Sequence, residues 1–90
     1  MKALEPKDPD AVLDYMFDWT DWLQTGETID SHTITVPTGL TLDSDSELSG
    51  KVTAWLSGGT SGISYTVACK IVTSLNRTDE RSFQLPVIQR

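Results

Sequence analysis

One cysteine, Cys69, and one histidine, His32, are all that this 90-residue chain carries of either type. The lone cysteine excludes an internal disulfide and any zinc site built on cysteines. A lone histidine removes most catalytic constellations, because a nucleophile or base needs a second group to orient it. His32 lies within a β-branched run and reads as a surface or interface residue. Long apolar runs are missing too: none approaches the ~20 residues of a membrane-spanning helix. Met1 to Pro9 holds charges and prolines with no apolar stretch, so no signal peptide is expected. Cations are scarce. The net charge of −6 argues against a phosphate backbone as the main partner. Neither nucleic acid nor membrane is expected as a partner, and no cofactor or metal.

What is present fits a small folded domain. Hydrophobic residues make up 38% and charged residues 22%, a balance that suits a globular chain and not a disordered one. A domain of this length buries only about 60% of its unfolded surface. With no covalent staple, help from a partner or an oligomer is expected. The charges are unevenly spread: residues 1–50 carry 11 acids against Lys2 and Lys7, while residues 51–90 carry two acids against five bases. An acidic side and a basic side would suit head-to-tail contacts, unless the two halves interleave in the fold and mix the charges.

Residues 1–10 read as an extended arm, because Pro6 and Pro9 exclude a regular helix. Residues 11–90 read as one Ig-like β-sandwich. From Val12 to Trp19, Leu13, Tyr15, Phe17 and Trp19 alternate with Asp14, Met16 and Asp18, the period of a half-buried strand. A helical stripe through Ala11, Val12, Tyr15, Met16 and Trp19 competes, but the aromatic content favours a strand. Thr20 to Leu23 reads as a short helical turn. Thr28 to Val36 is a second strand, ended by Pro37 and Gly39. Leu40 and Leu42 open a short third strand, and Asp43 to Glu47 reads as a polar turn. Lys51 to Leu56 is a fourth, with Val52, Ala54 and Leu56 on one face and Thr53 and Trp55 on the other.

Ser57 to Ser61 reads as a loop. Ile63 to Ser74 has the cleanest alternation, with Tyr65, Val67, Cys69, Ile71 and Thr73 on one face. Leu75 to Asp79 is a turn. Arg81 to Ile88 is the last strand, with Phe83, Leu85 and Val87 inward, and Pro86 marks it as an edge. Six or seven short strands with turn signals every 8–12 residues are the pattern of an all-β antiparallel sandwich. Tyr65, just after a glycine-rich corner, sits where Ig-like domains place a structural tyrosine.

Chemistry is hard to find. Asp43-Ser44-Asp45-Ser46-Glu47 offers oxygen ligands, but an EF-hand loop needs glycine at its sixth position and Leu48 stands there. Asp14, Asp18 and Asp21 read as solvated carboxylates rather than an acid–base pair. Gly58, Gly59 and Gly62 match no phosphate loop. Cys69 reads as a small core hydrophobe. Trp19, Trp22 and Trp55 are many for 90 residues. Trp19 and Trp55 are expected to be structural; Trp22, beside a turn, is a candidate binding anchor unless it too packs internally.

Two stretches are familiar in combination. Lys7-Asp8-Pro9-Asp10-Ala11-Val12-Leu13-Asp14-Tyr15 with Asp18-Trp19, and Trp55-Leu56-Ser57-Gly58-Gly59-Thr60 with Gly62 and Tyr65, resemble the hallmarks of a family of small tailed-phage virion proteins. Thr28-Ile29, Pro37 with Gly39-Leu40, and Arg77-Thr78-Asp79-Glu80-Arg81-Ser82 extend the likeness over nearly the whole chain. The resemblance implies an Ig-like sandwich and a non-enzymatic structural role, as capsid decoration, as a neck or head–tail connector accessory, or as a tail-associated module. The protein would be made in the host cytoplasm and end in the virion, in many copies or as a homo-oligomer. It would contact major capsid, connector or tail proteins. Pro6 and Pro9 of the arm, Trp22, and Ser57, Gly58, Gly59 and Thr60 are the expected contacts. A cell-surface or carbohydrate-binding module is the alternative, resting only on exposed tryptophans; a glycan array separates the two.

Overall fold

The structure is a computed structural model that describes residues 7–88. Six strands run in chain order: β1 (Leu13–Asp18), β2 (Ile29–Thr35), β3 (Leu40–Leu48), β4 (Lys51–Gly58), β5 (Ile63–Thr73) and β6 (Thr78–Val87). They form two antiparallel three-stranded sheets, β1-β4-β3 and β2-β5-β6. The connections after β1, β2 and β4 cross between the sheets, and the two direct hairpins, β3–β4 and β5–β6, stay within one. The all-β antiparallel sandwich expected from strand spacing is the fold observed.

The core follows the alternation of the central strands. Val52, Ala54 and Leu56 of β4 and Tyr65, Val67, Cys69, Ile71 and Thr73 of β5 are buried. Phe17, Trp19, Ile29, Leu40, Leu85 and Val87 complete it. Contacts between edge strands close both flanks. On one, Phe83 of β6 lies against Phe17 (5.3 Å between ring centroids) and Tyr15 (5.6 Å) of β1. On the other, His32 of β2 meets Asp45 of β3 at 2.9 Å. The first described residue extends β6: the Lys7 N–H donates to the Pro86 carbonyl and the Ile88 N–H donates to the Lys7 carbonyl, in parallel pairing. Pro86, with no N–H of its own, thus sits on the outer strand and still offers its carbonyl.

Two expectations are corrected. The third strand is not short, and Asp43–Glu47 is not a turn: β3 runs nine residues straight through the acidic run. The reversal comes after it, at Ser49 (φ 52°) and Gly50 (φ 85°), two successive positive φ values that make a two-residue hairpin turn of the kind matched to strand twist. Leu48 then pairs with Lys51, and the register carries back to Leu40 with one irregularity between Leu42 and Ser44. Likewise the Ser57–Ser61 loop is shorter than expected, because Ser57 and Gly58 finish β4.

The two chain halves interleave. β4, from the basic half, lies between β1 and β3 of the acidic half, and β2 pairs with β5. Lys51 stands opposite Asp18, and Lys70 opposite Glu80.

Candidate functional site

The sandwich has two ends and two outer faces, and the expected site residues are distributed among them. At one end the segment after β1 makes a single helical turn, with the Trp22 and Leu23 N–H groups donating to the Trp19 carbonyl. Asp18 caps that turn by accepting from the Thr20 N–H and hydroxyl. The turn hands the chain to Glu27, which is buried. Its carboxylate accepts from Arg77 Nε at 2.9 Å, from a second Arg77 nitrogen, from the Thr73 hydroxyl and from the Gln24 N–H. Arg77 in turn lies over the Trp22 ring, 4.0 Å from its centroid, and donates to the Trp22 carbonyl. The Arg77 hydrogen bonds, with help from the Gln24 N–H and Thr73, hold the Glu27 carboxyl at about 2, against the opposing pull of burial. Trp22 is therefore half-buried, one ring face covered by a guanidinium.

Trp19 is fully buried, edge-on to Trp22 at 5.6 Å. Arg81 lies over it at 4.2 Å and donates to the Asp18 carbonyl. Among the described residues the Trp19 indole N–H has no hydrogen-bond partner. It lies close enough to Cys69 to oppose the burial that pushes that thiol up to about 11. A thiol so raised and so buried is a poor nucleophile.

At the other end, Lys7 is fully buried and its ammonium donates to the Gly58 carbonyl at 2.7 Å and the Asp8 carbonyl at 2.8 Å. It ties the N-terminal segment to the end of β4. Gly59 is tight as well as left-handed: a Cβ there would sit 2.8 Å from Val87. The Tyr65 hydroxyl accepts from the Thr60 N–H at 2.8 Å, five residues upstream, so the tyrosine braces the corner it follows. Tyr65→Phe should therefore cost about 1 kcal/mol, the net worth of one such hydrogen bond. An equilibrium urea titration checks this; an unchanged midpoint would mean that the hydroxyl is idle. Thr60 is exposed, Ser57, Gly58 and Gly59 are half-buried, and Pro9 is half-buried. Pro6 lies outside the described residues.

The outer faces differ in kind. On the β2-β5-β6 sheet, Ser31, Thr33, Thr35, Thr66 and Ser82 point outward, a hydroxyl-rich surface. On the β1-β4-β3 sheet, Trp55 stands between Asp14 and Ser44, with Met16 beside Thr53 one pair along. Trp55 is 43% exposed and Met16 53%. Trp55 is thus a surface residue of this face and lies outside the core cluster. Asp14 adds to burial in raising the Tyr15 phenol above its ordinary value. Among the described residues no three histidine, cysteine or acidic side chains converge as a metal site would need. His32 is engaged with Asp45 across the flank.

One outer face thus sets an exposed indole and a thioether among polar side chains, with Asp14 beside them. The family model of Gp77, described as "Podophage GP4 fiber-tail adaptor protein gp77", matches residues 7–86. The chain belongs to this family and is a structural protein of the tailed-phage virion. No curated protein matches it.

Proposed function

We propose that this chain is a non-enzymatic adaptor that helps join fibre to tail in a podophage particle, working by protein–protein contact alone. The match to the fibre–tail adaptor family over residues 7–86 carries the reading. It favours the tail over the two other locations that the sequence left open, capsid decoration and the neck. The architecture agrees with the role: both ends are tied by side chains, at Glu27–Arg77 and at Lys7–Gly58, so the loops and faces are presented on a stiff body. A stiff module loses little freedom on docking, which favours binding. Repetition by symmetry then adds avidity.

Mass spectrometry with copy counting on density-purified particles tests it. An adaptor at a closed ring is expected at about six or twelve copies per particle. Hundreds of copies would mean capsid decoration instead, and absence from the particle would end the virion reading for this chain.

A further inference from the structure

Two of the three tryptophans carry an arginine over the ring, and among the described residues the third does not. Trp22 carries Arg77 on its face, with Glu27 holding the guanidinium. Trp19 carries Arg81, held by the Asp18 carbonyl. Trp55 is the one whose ring no arginine of the described residues covers, and it is also the exposed one. Directly across from it stands Asp14, which makes no ion pair among the described residues. As at the Trp22 corner, an indole and a carboxylate are neighbours, here both exposed and on adjacent strands.

We propose that the outer face of the β1-β4-β3 sheet docks a different protein of the particle by receiving an arginine side chain on the Trp55 ring, paired to Asp14, with apolar neighbours of that arginine resting on Met16. The inference rests on the adaptor reading above. Charge complementarity selects the occupant. Both arginines of the described residues are spent inside the fold, Lys7 is buried on carbonyls, and Lys51 and Lys70 already face acids. A second copy of this chain therefore brings no free arginine from its described residues, whereas the face offers an unneutralised carboxylate beside an exposed indole. Arginine is the fitting cation because its planar group stacks on an aromatic ring and bonds a carboxylate in the same plane. The hydroxyl-rich outer face of the other sheet has no large apolar side chain comparable to Trp55.

The test uses particles from a phage lacking this gene, loaded in vitro with purified full-length protein over a concentration series. Trp55→Ala should raise the half-saturating concentration about thirtyfold, as truncating a central aromatic anchor does. Asp14→Arg should raise it at least as much, and Thr33→Ala, on the opposite face, should leave it unchanged. A benzophenone side chain in place of Met16 should cross-link to a partner peptide that contains arginine. Wild-type loading by Trp55→Ala and Asp14→Arg would overturn the docking face while leaving the adaptor role standing. Cross-linking only to a second copy, or to a segment without a cation, would overturn the proposed occupant. If the wild-type protein does not load at all and is absent from native particles, both readings fall. Circular dichroism melts confirm that each variant is folded; should Trp55→Ala fail there, Asp14→Arg and the cross-link decide.

Discussion

Trp19→Ala should remove about 3–5 kcal/mol of folding stability, the usual toll for emptying a large buried aromatic site. A domain of this size has only about 5–10 kcal/mol to lose. The reason lies in where Trp19 sits. It is the largest fully buried side chain, and three structures depend on it: the helical turn whose first carbonyl it supplies, the Trp22 ring against its edge, and the Arg81 guanidinium over its face. Its backbone N–H also donates to the Gly50 carbonyl, tying the turn to the β3–β4 hairpin. Urea titration followed by circular dichroism measures the loss. Trp19→Phe should lose much less, because it keeps an aromatic face for Arg81 and removes an indole N–H that has no hydrogen-bond partner among the described residues. A loss below about 1 kcal/mol in Trp19→Ala would mean that the neighbours collapse into the space.

Acid should weaken the protein through Glu27, and Glu27→Gln should abolish much of that weakening. The carboxyl has an ordinary value of 4.5 and is held at about 2 in the folded chain, chiefly by Arg77. A group whose folded value is lowered contributes stability in full above its unfolded value and loses it as pH falls toward the folded one. The loss is therefore expected between about 4.5 and about 2. At neutral pH, Glu27→Gln should be clearly less stable than the wild type, because Arg77 loses its counter-charge and Trp22 its clamp. Lowering the pH from 5 to 2.5 should then narrow the gap between the two. Thermal melts across that range decide the matter: parallel curves would show that Glu27 contributes no pH dependence.

What the sequence disclosed and what it withheld divide along chain distance. Strand alternation is local, so the inward set of β5, from Tyr65 to Thr73, was legible residue by residue, whereas Trp55, expected to be structural, stands exposed on the face that it shares with Thr53. The Tyr65 contact at its corner is local in the same way, since the Thr60 N–H from which its hydroxyl accepts lies five residues away. The β3 error was also local. A run of acids and serines mimics a turn by composition, while the true turn signal was the Ser49-Gly50 pair that follows it. The Glu27–Arg77 clamp was not legible. Its partners lie 50 positions apart, and nothing near either residue announces the other. The buried Lys7 was hidden similarly, by a contact to Gly58 across 51 positions. Trp22 was expected to be an anchor because it flanks a turn. Only the fold reveals that an arginine already occupies its ring, and that Trp55 is the indole left open.

The pairing of Lys7 with the last strand has a mechanical side. Because the two segments run parallel, a pull entering ahead of Lys7 and leaving beyond Ile88 drives them past each other lengthwise. The bonds from Lys7 to Pro86 and from Ile88 to Lys7 then share the load at once, and the buried ammonium on Gly58 resists with them. A hairpin pulled open at its mouth would instead give up its bonds one at a time. The same few contacts that fix the N-terminal segment at rest thus make it a shear clamp under tension.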